Sequence, residues 1–262
     1  KTIMDVMEFE GRDYCEIPLS PSISKTLDSS FTMEAWVKPS EDLMLDDNKD
    51  YDEFHIFTRP GFHTGLAFTS GMQYKASIWD NDDNQWMVVS DGKNLDWTHV
   101  VFVADYITKR LRMYVNGQEV NNSPKDFLNV PRRVNVVPYY IGCANPNARH
   151  GDQGFFKGSV AQITLWESAL KPLEVKTIFN DGIPYISTKQ KNYTGWKSGS
   201  EPYKSAKKVV GYWDFDNVVG GKIIDKSGND NHAIMKGGYL SESQVQIGSE
   251  ISIPHRRHGK YI

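Results

Sequence analysis

The feature that most constrains this chain is a succession of short strand-like runs, each closed by Gly, Asp or Pro. "SFTMEAWVKPS" puts Phe31, Met33, Ala35 and Val37 on one face of a strand that ends at Pro39. "FHIFTRP", "GLAFTS", "YKASIWD" and "QWMVVSDG" follow, and "WTHVVFVADYITKRLRMYVNGQEV" reads as a hairpin whose Asn116-Gly117 turn demands positive φ. "PYYIGC" and "GSVAQITLWES" add two strands, and "VMEFEGRDYCEIPLS" adds two more around a Gly-Arg-Asp turn. Helical pattern is confined to "SALKPLEVKTIFNDG", with Gly182 as its stop. Many short strands with almost no helix predict an all-β sandwich rather than βα units.

Two stretches read as loops: the acidic 39–54, an exposed excursion, and the Lys-, Ser- and Gly-rich 182–208, a linker or surface tether. Strand-like sequence resumes at Val209. The predicted division is therefore 1–182, a tether at 183–208, and a C-terminal segment at 209–262.

Net charge is −3 over 262 residues, which argues against a nucleic-acid partner. No run of eighteen apolar residues occurs, so no membrane insertion is expected. The first residues lack the apolar core of a signal peptide, which leaves a mature, an intracellular or an excised chain as readings. Sequons at Asn121 and Asn192 lean towards an extracellular, cell-surface or virion-surface setting. Cys15 and Cys143 are too few for a disulfide framework or a Cys-based zinc site; they read as buried small hydrophobes, with a single bridge as the alternative.

In order, "MEFEGRDYCEIP", "SFTMEAWVKP", "WTHVVFVAD…LRMYVNGQEV", "YYIGC" and "FKGSVAQITLWESALKPLEV" resemble the landmarks of the laminin-G-like, concanavalin A-like lectin jelly roll. The resemblance spans roughly 180 residues and implies that Trp36 and Trp97 lie in strands and pack in the core. It also exposes a gap. Family members open with a strand resembling W-x-F-D and a loop resembling D-x-S-G-N-x-N, and these appear here only at 213–232: Trp213, Asp214, Phe215, Asp216, then Asp225, Ser227, Gly228, Asn229, Asn231 and His232. Either the C-terminal segment completes the sandwich, making it circularly permuted relative to its relatives, or it begins a truncated second repeat. "QVQIGSEISIP" echoes "MEFEGRDYCEIP" and favours a repeat. A lone β fragment of this size buries too little surface, however, and a jelly roll lacking strands has open edges. The tether could span ~25–30 Å as a random coil, so completion is the expectation.

Catalytic patterns are scarce. There is no E-x-D-x-x-E, G-x-S-x-G, H-E-x-x-H or P-loop, and "GCANPNARHG" offers only a Cys seven residues before a His. Calcium seeks six to eight oxygens. "DKSGNDNH" gathers Asp225, Asn229 and Asn231 in a loop of the kind near which relatives hold calcium, with Asp13 or Glu10 as a further donor; the plain alternative is a turn. The candidate sugar site is "WDNDDNQW": Trp79 and Trp86 would stack on pyranose faces while Asp80, Asp82 and Asn84 bond hydroxyls. Its alternatives are a half ion loop, a solvated hairpin tip, and Trp side chains finishing the core. A facing loop would add Asn145, Asn147, Arg149, His150 and Asp152.

The leading expectation is a non-catalytic carbohydrate-binding, lectin-like module within a larger glycan-active or surface protein, its partner a glycan or glycoprotein. A protein–protein adhesion or scaffolding module is the alternative, and a glycoside hydrolase a minor one.

Overall fold

The computed structural model describes residues 2–44, 53–59, 64–92, 94–132, 137–149, 152–181 and 208–248. Gly182, almost all of the tether and most of the acidic excursion lie outside these residues.

In chain order the strands are β1 (Thr2–Glu10), β2 (Tyr14–Ile17), β3 (Phe31–Pro39), β4 (Glu53–Arg59), β5 (Thr64–Thr69), β6 (Tyr74–Trp79), β7 (Gln85–Val89), β8 (Thr98–Asp105), β9 (Arg110–Val115), β10 (Gln118–Glu119), β11 (Lys125–Asp126), β12 (Tyr139–Ile141), β13 (Lys157–Trp166), β14 (Val209–Trp213), β15 (Val218–Val219), β16 (Lys222–Ile223), β17 (Ala233–Lys236) and β18 (Tyr239–Val245). Among the described residues two α-helices interrupt them, α1 (Pro21–Ser24), one turn capped by Ser20 Oγ, and α2 (Pro172–Asp181), besides a 3-10 turn at Glu41–Met44.

The strands form two nine-stranded antiparallel sheets, the layers of a jelly-roll sandwich. Sheet A runs β10-β9-β8-β3-β13-β1-β18, with β11 on β9 and β14 on β13; sheet B runs β15-β16-β17-β2-β12-β4-β5-β6-β7. β1 and β2 do not pair, because the Gly-Arg-Asp turn carries the chain from one sheet to the other.

Alternation does what the sequence predicts in β3. Phe31, Met33, Ala35 and Val37 enter the core between the sheets, together with Val100 and Phe102 of β8 and Ile163 and Leu165 of β13. The opposite face is buried too, by α2. Trp36 is fully buried there, stacked on Phe179 at 5.9 Å, so it packs outside sheet A rather than between the sheets. Trp97 sits one residue before β8, half-buried, with Nε1 donating to Ser243 Oγ at 2.9 Å; this corrects its assignment to a strand core. Asn116 and Gly117 both have positive φ (49° and 77°), as the hairpin requires.

The C-terminal strands join both sheets. β14 pairs with β13 (Ile163↔Trp213), β17 with β2 (Met235↔Cys15), and β18 with β1 along its length (Thr2↔Val245 to Glu8↔Tyr239). Trp213 is fully buried and meets Phe57 edge-on at 6.2 Å, and Phe215 is 2% exposed in the same core. A Cβ on Gly211 would stand 2.1 Å from the Trp213 ring, so only glycine lets that ring lie flat against β14. Cys15 and Cys143 are buried free thiols, pushed above the ordinary range by burial.

Candidate functional site

The hairpin β6–β7 carries the predicted aromatic pair. Its register pairs Trp79 with Gln85, Ser77 with Met87 and Lys75 with Val89, all on the outward face of sheet B; Trp86 pairs with Ile78 and packs inward against the core. The two Trp rings therefore lie on opposite faces and do not bracket a ligand together. Five residues, 80–84, separate the paired Trp79 and Gln85, and Asp83 adopts positive φ (60°). A loop one residue longer would have put both rings on one face.

Asp80 organises this tip from within. Its carboxylate accepts from the Asp82 and Asn84 amides (2.8 and 3.0 Å), Trp86 Nε1 (3.1 Å) and Asn129 Nδ2 (3.0 Å). Burial opposes ionisation, but these bonds outweigh it and hold the carboxyl well below the usual carboxylate range. Asp80 is thus a structural hub, not a hydroxyl acceptor at the surface. Asp82 and Asn84 are exposed at the tip, and Asp82 Oδ2 accepts from Asn129 Nδ2 at 3.2 Å. Arg132 completes the mount: its amide donates to Trp79 O (2.8 Å) and its guanidinium to Asp83 (2.7 Å).

Asn129 and Arg132 thus lie against the tip where the loop after β12 was expected, and they support it by hydrogen bonds. That loop lies elsewhere. Where β12 leaves β4, residues 154–156 take over the same edge: His55 N donates to Gly154 O (2.9 Å) and His55 bridges Phe155 in parallel. The His55 row meets β6 at Lys75, so Trp79 lies four residues, ~13 Å, further along the sheet and three strands across. Asn145, Asn147, Arg149 and Asp152 belong to this distant loop and do not face the β6–β7 tip; His150 lies outside the described residues. Asn145 Oδ1 accepts from the Asn147 amide at 3.0 Å, and Arg149, Asn147 and Asp152 are exposed.

What surrounds Trp79 is a polar cluster, part-exposed at Gln85 and buried at Ser77 and Lys75. With its amide oxygen turned to accept, Gln85 takes a bond from Trp79 Nε1 and another from Lys75 Nζ, each 3.1 Å. The Lys75 ammonium is nearly buried and bridges to Glu53, whose other oxygen lies 3.5 Å from His55 Nε2. His55 Nδ1 is 3.1 Å from Thr58 Oγ1.

The proposed calcium loop is filled by protein donors. Asp225 accepts from the amides of Tyr212 (2.9 Å), Ser227 (2.8 Å) and Asn231 (3.0 Å) and from Ser227 Oγ (2.8 Å). Asn229 Nδ2 donates to the carbonyls of Val209 and Val210, and Asn231 ties β14 to Ser20 and Ser22. Asp13 is remote, with Oδ2 accepting from the Glu10 amide at 2.9 Å beside Gly237. The neighbouring Asp214 and Asp216 already hold a cation, Lys226, at 2.6 and 2.5 Å. Among the described residues no group of three or more His, Cys, Asp or Glu is placed to hold a metal ion. As arranged, Asp225, Asn229, Asn231 and Asp13 do not fit a calcium site.

Clefts open among the described residues, two of them ligand-sized. One of about 900 Å³ lies on sheet A around Glu8, Lys38, Ser159 and Tyr239; the other, about 780 Å³, lies between the β8–β9 turn and the start of α2, beside Ile107 and Pro172. No helix of the described residues is long and apolar enough to cross a membrane.

Two antiparallel sheets stacked as a jelly roll, with ligand-sized clefts opening on them, define a lectin-type sandwich. A family model described as the concanavalin A-like lectin/glucanases superfamily matches residues 9–176, and the chain belongs to that superfamily. Comparison with curated proteins gave no match. Among solved structures, the chain is similar to a protein of Bacteroides ovatus ATCC 8483 for which carbohydrate binding is proposed, at 18% identity and a TM-score of 0.63, over 95% of this chain and 62% of that one. It therefore spans less than two thirds of that protein's length. A SAP-like pentraxin of Limulus polyphemus, a native heptamer, is similar at 12% identity and a TM-score of 0.50, over 88% of this chain and 94% of the other. At these identities the likeness concerns the fold.

Proposed function

We propose that this chain is a non-catalytic carbohydrate-binding module that holds a glycan against the outward face of β6 and β7, outside the cell or at its surface. The observation that carries the reading is Trp79, part-exposed on the outward face of β6 beside part-exposed Gln85. An aromatic ring next to planar polar groups fits the apolar face and the hydroxyl rim of a pyranose ring. The proposed carbohydrate role of the Bacteroides ovatus protein agrees with it. Glu53 is committed to Lys75 and His55, which supports binding rather than hydrolysis. Calcium plays no part in this reading.

A glycan array on the whole chain, with calcium and with EDTA, followed by titration of the best ligand, tests the proposal. Trp79→Ala is expected to weaken binding about tenfold or more, and Trp86→Ala to lower stability with little effect on the affinity of the folded fraction. No binding above background, or equal loss of affinity in both variants, would sink it. The adhesion reading rests on Ile107, 93% exposed, and Leu173, 74% exposed, at the cleft beside α2, and a ligand-free array would favour it.

A further inference from the structure

The outward face of sheet A is covered on one side only. α2 lies over Trp36 and His99, where Phe179 stacks on both rings. Towards β1 and β18 the face opens into the cleft of about 900 Å³. Strand register sets Tyr239, Glu8, Ser159 and Lys38 in one row across β18, β1, β13 and β3. At ~4.8 Å per strand that row is ~14 Å long, enough for a short oligosaccharide.

The row is preorganised. Glu8 Oε2 accepts from Ser159 Oγ at 2.6 Å and Oε1 from Ser241 Oγ at 2.7 Å, which leaves each oxygen a further lone pair towards the cleft. Tyr239 is 53% exposed on a paired strand, an aromatic ring held at the surface. Trp97 clamps one wall: its bond to Ser243 fixes the turn that carries Asn94 and Asp96. Lys38 supplies a donor at the far end, whereas Lys157 is engaged by Asp42 at 3.0 Å. Carboxylates outnumber ammonium groups in the lining, Glu8, Glu10, Glu41, Asp96 and Glu242 against Lys38 and Lys157.

We propose that this cleft is a second saccharide site, distinct from the face around Trp79, and that it takes an uncharged oligosaccharide. Tyr239 stacks on one pyranose ring, Glu8 accepts from its hydroxyls, and Lys38 donates to a following ring. The carboxylate excess repels uronic, sialic and sulfated sugars. The site stands or falls independently of Trp79, since the two lie on different sheets.

The test titrates the whole chain with maltotriose, cellotriose and N,N′,N″-triacetylchitotriose as neutral probes, and with trigalacturonate as the anionic one. Backbone amide NMR shifts of the unmutated protein report the location. Shifts clustered at residues 8, 38, 159 and 239 for at least one neutral probe, with none there for trigalacturonate, are expected. Tyr239→Ala and Glu8→Gln should each weaken that binding about tenfold, while Trp79→Ala leaves it unchanged. Should a variant fail to fold, the shift map of the unmutated protein decides alone. The inference is overturned if no neutral probe shifts the row, if trigalacturonate binds there as well as they do, or if shifts confine themselves to residues 75–87. That last pattern would leave the Trp79 reading intact.

Discussion

Replacing Trp213 by Ala probes whether residues 209–248 belong to the same folding unit as residues 2–181, which we propose they do. The ring is fully buried, contacts Phe57 at 6.2 Å, and donates from Nε1 to Asn231 O at 2.8 Å. Truncating a buried Trp typically costs 3–5 kcal/mol through lost transfer energy and the residual cavity. Stranding the Asn231 carbonyl adds about 1 kcal/mol. The expected loss is therefore ~4–6 kcal/mol, a large share of the 5–15 kcal/mol of an ordinary domain. Guanidinium unfolding followed by circular dichroism reads the total, and amide exchange in β3 and β8 reads its reach. If the C-terminal segment completes the core, both measures fall together, because Trp213 shares that core with Met33 and Phe102. A loss below ~1 kcal/mol would refute the reasoning. So would an early separate transition of residues 209–248 that leaves β3 and β8 protected, since the segment would then be an appended repeat.

Two further outcomes follow from the electrostatics and the donor sets. Asp80, and Asp216 beside Lys226, have folded-state pKa values below the unfolded value of about 3.9, so their contribution is complete above that pH and lost progressively as pH falls from it through the folded-state value. The melting temperature of Asp80→Asn should sit below that of the unmutated chain at pH 7 and converge on it below about pH 4; a constant gap down to pH 2 would contradict the assignment. For calcium, differential scanning calorimetry in millimolar calcium and in EDTA should give melting temperatures within about 1 °C, because Asp225 is saturated by protein donors and Lys226 already bridges Asp214 and Asp216; a rise of several degrees would show a site that this donor accounting missed.

Much of the fold was legible because alternation is local. The spacing of Phe31, Met33, Ala35 and Val37 assigns a strand and its buried face without any partner, and Asn116-Gly117 assigns its own turn. What alternation cannot supply is which strand lies alongside, or what covers the other face. β1 and β2 read as consecutive strands and joined different sheets; Trp36 read as core and was buried beneath α2. The candidate site suffered most, since it depended on register across turns. Trp79 and Trp86 looked equivalent until pairing set them on opposite faces. The loop carrying Asn145 and Asn147 looked adjacent until residues 154–156 docked on β4. Asn129 and Arg132, which hold the 80–84 tip, are distant in sequence, and only the charge of "VPRR" hinted at an acidic neighbour.

The C-terminal segment serves two purposes that its sequence keeps apart. Trp213 and Phe215, on and just after β14, face the core, where a change of shape costs stability. Tyr239 and Glu242, on β18, are exposed and line the cleft at a sheet edge, where a change of side chain costs little. The partner of that edge is β1, whose Glu8 is held by one serine from β13 and one from β18 itself. A substitution at Tyr239 or Glu242 can therefore alter what the sheet A cleft accepts while Glu8 stays in position and the core stays packed. The same freedom is denied to the β6–β7 tip, where Asp80 binds Asn84, Trp86 and Asn129 at once. Removing any of these partners costs stability at the tip without changing what Trp79 offers a ligand. Of the two outward faces, the one built on β18 is the one on which specificity can change without loss of fold.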